Sequence, residues 1–233
     1  MASAGNRAGS AGTARHGHTF IAPLPVTQPF MEQYKAILHK YIPERAVDQI
    51  YDWIRTYGVH LKISRKRSSK LGDYRPPQNG KGHQITVNHD LNKYAFLVTL
   101  VHEIAHLIVW EAHGRKARAH GKEWKETYRR LMTPMLEGDI FPEDAKGAIR
   151  KYLERSYASS ASDLQLGRTL MKYDARPGIT LESLEEGSIF SLPNGKTYKK
   201  GALNRKRYRC LRMDNKRVYL VSPLVLVRLP ESQ

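Results

Sequence analysis

The sequence predicts an α+β fold: a helical domain that carries a small sheet, followed by a small β-rich domain. Three observations predict it. The stretch Thr99–Trp110 is an apolar run of helical length with two histidines and one glutamate set into it. Two short stretches before it, Val59–Ser64 and Gln84–Asn88, read as strands, the first by strict alternation of apolar and polar residues. From Ser183 onward, helical spacing gives way to short strand-like segments separated by turn signals. A chain of 233 residues can bury one sizeable core and a second small one.

In chain order, residues 1–26 read as a disordered tail of Gly, Ala and Ser followed by Pro23 and Pro25. No apolar core of a secretory signal is present in it. The main domain is expected over 27–157. Its first helix covers Met31–Tyr41 and stops before Pro43. A second follows, in which Ala46, Val47, Ile50, Tyr51, Ile54 and Tyr57 recur at helical spacing, with Gly58 as C-cap. Both helices supply core and no visible chemistry. Between the two predicted strands, Lys66–Gly82 reads as a polar, basic loop holding Leu71–Tyr74 and the Pro76–Pro77 pair. His60, His83 and His89 flank these strands and read as surface or internally satisfied residues.

A long helix is expected from Asn92 to Gly114, its inner face marked by Leu97, Leu100, Val101, Ile104 and Ile108. A further helix opens near His120, and another spans Pro142–Tyr157. A linker is expected over 158–182, beginning with Ala158–Ser162. The region 183–233 is read as a small basic β domain with strands at Ser188–Leu192, Thr197–Tyr198, Arg207–Met213, Val218–Val221 and Leu224–Leu229. Asn194-Gly195 and Asp214-Asn215 supply its turns. The one cysteine, Cys210, excludes an intrachain disulfide or a cysteine zinc ribbon and is expected as a small buried residue.

The chemistry concentrates in His102-Glu103-Ile104-Ala105-His106. Residues four apart share one face of an α-helix, about 6 Å apart along its axis. Two imidazoles so placed converge on one metal ion, and Glu103 is positioned to act on water there, which is the H-E-x-x-H pattern of zinc hydrolases. The competing account makes both histidines core residues, but it leaves an acid among Leu100, Val101, Ile104, Ala105 and Leu107 without a reason to be there. A catalytic zinc takes three protein ligands and keeps one position open. His113 shares the face of His106, but it lies seven residues, about 10 Å, further along the helix and out of reach. The chain must therefore turn and come back. His120, after Gly114 and the basic loop Arg115–Ala119, is the expected third ligand, with Glu123 or Glu126 as the carboxylate alternative.

These motifs, with His113-Gly114-Arg115 and His120-Gly121-Lys122-Glu123-Trp124-Lys125, resemble the SprT-like metalloprotease domain over roughly Phe30–Met135. The Leu71-Gly72 loop and the Ile85–Asn88 strand fit its layout. The resemblance implies a zincin-like minimal protease fold with His102, His106 and His120 holding Zn2+ and Glu103 as catalytic base. The family also includes the eukaryotic protease Spartan, which degrades proteins crosslinked to DNA. Many relatives carry a cysteine zinc ribbon after the protease domain, where this chain places its β domain.

The formal charge of +17 draws the chain to polyanions, DNA foremost. Ten Lys or Arg residues and one acid lie between Lys196 and Arg217, with Tyr198, Tyr208 and Tyr219 in or beside the run. Phosphate-neutralising cations and aromatics for base stacking are the ingredients of single-strand binding. Candidate nucleic-acid contacts are Arg115, Lys116 and Arg118 beside the metal motif, and Lys199, Lys200, Arg205, Lys206 and Arg207 downstream. No apolar stretch is expected to span a membrane, and the cytoplasm is the expected location. The expected activity is zinc-dependent cleavage of a protein or peptide, with Tyr74 a candidate oxyanion donor and Ile85–Asn88 a candidate edge strand for an extended substrate. The alternatives are a nucleic-acid-binding protein with a structural zinc site and no proteolytic activity, and a metal-dependent hydrolase of another bond.

Overall fold

The computed structural model describes residues 28–67, 70–155 and 163–230. The expected tail at 1–26 and the linker start at Ala158–Ser162 lie outside the described residues. Within them the chain mixes helices and sheets in the α+β manner. Helices α1 (Gln28–Tyr41) and α2 (Val47–Thr56) come first, and Gly58 leaves α2 in the left-handed region at φ +59°. Strands β1 (His60–Ser64), β2 (Gly72–Arg75) and β3 (Gln84–Asn88) follow, then the long α3 (Lys93–His113). Helices α4 (Lys122–Glu137), α5 (Glu143–Arg155) and α6 (Leu164–Met171) complete the helical part.

Asn92 starts α3 as its N-cap, its side chain accepting from the N–H groups of Tyr94 (3.1 Å) and Ala95 (3.0 Å). From there α3 is the axis of the larger core. It packs against α1, α4, α6, β2 and β3, and almost every residue from Phe96 to Leu107 is buried. An apolar helix covered on nearly all sides can satisfy the length and composition of a membrane span while being core. The segment Lys93–Lys116 does so, with 67% of its apolar window buried inside the molecule, which corrects the expectation that no stretch would reach that length.

The first sheet runs β1-β3-β2, with β1 parallel to β3 and β2 antiparallel to it. Two sequence expectations change here. The Lys66–Gly82 segment is not all loop, because four of its residues form β2. Ile85–Asn88 is not an edge, because β3 has a partner on both sides; the edges are β1 and β2.

Residues 158–182, expected to link two domains, include α6, whose Leu166 and Leu170 are buried in the larger core. Asn92 ties α6 to the start of α3, donating from Nδ2 to the Leu170 carbonyl at 2.8 Å. A second cluster, Leu181, Phe190, Tyr198, Cys210, Val221 and Val227, is built by a four-stranded antiparallel meander and the segments that flank it. Its strands are β4 (Ile189–Ser191), β5 (Thr197–Asn204), β6 (Arg207–Arg212) and β7 (Val218–Val221). The Asn194-Gly195 turn joins β4 to β5 with Gly195 at φ +75°. Leu224–Leu229 is not a strand; it makes only isolated bridges at Leu226 and Arg228. Cys210 is free and buried, as expected.

Candidate metal centre

One face of α3 and the turn before α4 build the site. His102 and His106 project from consecutive turns of α3. After Gly114, at φ +58°, the chain loops back through Arg115–Ala119 and delivers His120 with its own backbone left-handed, at φ +57°. A non-glycine residue in that region is uncommon and costs conformational energy, which the surroundings must offset. The turn is tight: the Gly121 N–H donates to the Arg118 carbonyl at 2.8 Å, and a Cβ on Gly121 would lie 2.9 Å from that oxygen.

The three Nε2 atoms form a near-equilateral triangle. His102 to His120 is 3.1 Å, His106 to His120 is 3.0 Å, and His106 to His102 is 3.3 Å. Burial, then the neighbouring imidazoles, pushes His102 down to about 2, and burial with His120 pushes His106 down to about 4. Burial, then Lys125, also lowers His120. All three rings are therefore neutral at pH 7 and turn nitrogens toward one point. Tetrahedral nitrogens bonded to zinc at about 2.0–2.1 Å stand about 3.3 Å apart, and imidazole is a preferred zinc donor. The residues present fit such an ion, and the triad can hold a metal.

Trp124, one turn into α4 and 1% exposed, lies against all three imidazoles, with ring centroids 4.5 Å from His102, 5.3 Å from His106 and 4.8 Å from His120. Tyr128 stacks behind it at 5.0 Å. The sequence shows Trp124 inside the returning motif but offers no role for it; its four-residue spacing from His120 is the available signal. His113 and the carboxylate alternatives stay out of the cluster: His113 is exposed, and Glu126 faces Lys122 at 3.9 Å.

Glu103 lies on the β2 side of α3. It is 7% exposed, and burial, then the charge of Asp73, raises its carboxyl to about 8. The backbone N–H of Tyr74 donates to it and works in the opposite direction. Gly72 leaves the room for it, since a Cβ there would stand 2.6 Å from Glu103 Oε1 and 2.7 Å from the Thr99 methyl. In the sequence Gly72 reads only as part of a loop, because a close approach between strand and helix has no local signature.

Tyr74 itself is otherwise engaged. Its hydroxyl meets His83 Nδ1 at 2.9 Å, and His83 Nε2 meets Glu111 Oε1 at 3.0 Å. A hydroxyl already committed to His83 is not a free oxyanion donor, which corrects the expectation for Tyr74.

Of the candidate nucleic-acid contacts, Arg115, Lys116 and Arg118 are exposed on the loop that presents His120. Lys199, Arg205, Lys206 and Arg207 are exposed on β5, β6 and the turn between them. Lys200 is not available. It is 4% exposed, its ammonium bonds the carbonyls of Glu182 and Leu184, and the Tyr208 ring lies 4.0 Å away. Tyr198 is also buried, stacked on Phe190 at 5.7 Å, so Tyr219 is the exposed aromatic of the three.

Comparison with known proteins places this site within a recognised segment. Residues 36–145 match the model of the SprT-like family. Over 49 residues the chain is 60% identical to Protein SprT of Salmonella arizonae, which covers 19% of this chain and 29% of that protein. The chain thus spans under a third of the length of the curated relative it matches. No solved structure matches.

Proposed function

We propose that this chain, whose residues 36–145 match the SprT-like family, is a zinc-dependent endopeptidase with a zincin-like catalytic domain. The observation that carries the reading is the convergence of three neutral imidazoles beside a buried carboxylate on the same helix. His102, His106 and His120 would hold the ion. Bound there, zinc supplies Lewis acidity that activates water near pH 7 and polarises the scissile carbonyl. The positive charge of the held ion would favour the ionised form that burial and Asp73 disfavour, and Glu103 would then take the proton of the attacking water on its carboxylate and pass it to the leaving amine nitrogen. The Tyr74 N–H and the glycine floor at Gly72 hold that carboxylate in place. Trp124 walls the imidazoles from solvent on the α4 side.

Among the described residues no fourth His, Cys, Asp or Glu joins the triad. This favours an open catalytic position over a closed structural one. The outer edge of β2, which has no strand partner among the described residues, would take an extended peptide by backbone hydrogen bonds that read little sequence. The exposed cations of the His120 loop and of the β5–β6 hairpin support action on or near DNA-bound proteins. Cytoplasmic location and a separate basic β domain from about residue 183 belong to the same proposal.

The test is digestion of casein by the zinc-loaded chain and by Glu103→Gln, with and without DNA. The variant should keep its zinc and lose cleavage; cleavage at the native rate would remove Glu103 from the mechanism.

A further inference from the structure

Strand β2 carries two elements that seat Glu103, the bare Cα of Gly72 and the N–H of Tyr74. Yet it is a four-residue edge strand with a hydrogen-bonded neighbour on one side only, and Pro76 and Pro77, which have no N–H, follow directly. Short edges of this kind open locally unless something else fixes them. His83 supplies a second attachment. It is buried and bonds three elements: its carbonyl accepts from the His60 N–H at 2.8 Å at the start of β1, its Nε2 reaches Glu111 of α3 at 3.0 Å, and its Nδ1 meets the Tyr74 hydroxyl at 2.9 Å. The His83 and Tyr74 rings also lie nearly parallel, with centroids 5.9 Å apart. A carboxylate only accepts, so Nε2 carries the hydrogen that faces Glu111, and in that tautomer Nδ1 accepts from the Tyr74 hydroxyl.

We propose that His83 is a positioning residue of the peptidase: the Glu111–His83–Tyr74 line clamps edge strand β2 onto α3 and thereby holds the Glu103 carboxylate in its working place. This rests on the endopeptidase reading for its catalytic consequence, while the clamp itself is independent of it. A carboxylate held by a pinned strand delivers its proton along a fixed path, whereas one on a loosened strand samples other positions.

The experiment uses the full chain with His83→Leu, His83→Gln and Tyr74→Phe. Glutamine can donate to Glu111 and accept from Tyr74, leucine can do neither, and phenylalanine removes only the hydroxyl. Each is measured for kcat and KM on a casein-derived peptide, for bound zinc, and, in the zinc-free state, for amide hydrogen exchange of residues 72–75. Loss of a part-buried hydrogen bond of this kind predicts a kcat up to roughly tenfold lower in His83→Leu and Tyr74→Phe, with KM and zinc content near native. Exchange in β2 should be roughly tenfold faster, with helix α3 unchanged, and His83→Gln should restore most of both. Native exchange of β2 in His83→Leu and Tyr74→Phe overturns the proposal, as does zinc loss in step with kcat. Tyr74→Phe carries the test if His83→Leu does not fold. A native chain without proteolysis would refute the endopeptidase reading, and the exchange comparison would still decide the clamp.

Discussion

Replacing Gly72 by alanine probes how closely the edge strand and the helix that carries Glu103 approach. The new methyl carbon would sit 2.6 Å from Glu103 Oε1, 2.9 Å from Glu103 Cγ and 2.7 Å from Thr99 Cγ2, each well inside van der Waals contact. Thr99 cannot yield easily, because it is β-branched, buried, and its hydroxyl donates to the Ala95 carbonyl at 2.8 Å. Glu103 is the more flexible side chain and must move, by something near an ångström to reach ordinary contact. Misplacing a catalytic group by about 1 Å costs about a hundredfold in rate. Overpacking of this sort also costs about 1–3 kcal/mol of stability, or several degrees in Tm for a chain of this size. The expected result is a kcat about a hundredfold lower on a casein-derived peptide, with zinc affinity within a few-fold of native, because His102 and His106 lie on another face of α3. A Gly72→Ala enzyme with native kcat would refute the argument that this contact seats the base.

Further predictions follow from the same geometry. In the zinc-free protein, Glu103 is raised to about 8 from an ordinary 4.5, so the folded state holds a proton that the unfolded chain has released between those values. Its contribution to stability is full below about pH 4.5 and lost as pH rises through about 8. The buried imidazoles act oppositely, their contribution falling away as pH drops below about 6.5, the ordinary histidine value. Subtracting the Tm–pH curve of zinc-free Glu103→Gln from that of the native chain should isolate the descending Glu103 component, and a flat difference would contradict it. Neutralising Lys199, Arg205 and Arg207 should weaken DNA binding and reduce the salt slope by about one for each phosphate left without its cation. Lys200→Met should instead leave the salt slope unchanged and lower Tm, because that ammonium is held by the Glu182 and Leu184 carbonyls. Fluorescence anisotropy across a salt series separates the two outcomes.

How far the sequence was legible depended on whether a feature is local. The i, i+4 pair His102–His106 follows from helix periodicity, and His120 follows from the failure of His113 to reach that pair, although Glu123 and Glu126 stayed open as alternatives. Asn194-Gly195 marked its hairpin because turn chemistry is carried by the two residues themselves. Features set by chain segments that meet only in the fold were not legible. Strand β2 is short, contains a glycine and precedes two prolines, so it has the texture of a loop, and only its pairing with β3 makes it a strand. Strand order differs from chain order, which put β3 in the centre and left β2 as the edge beside Glu103. Lys200 reads as one more cation in a basic run, but a register shift between Lys200 and Leu203 accompanies its burial next to Tyr198. His83, a lone histidine in the sequence, gained its partners from β2 and α3.

The direct test of the central claim is zinc stoichiometry measured together with digestion of an unfolded protein, for the native chain and for His120→Ala. Three imidazoles acting as one site predict one zinc per native chain, chelator-sensitive digestion, and loss of both when His120 is removed. One tightly held zinc with undiminished digestion in His120→Ala would contradict the three-histidine centre.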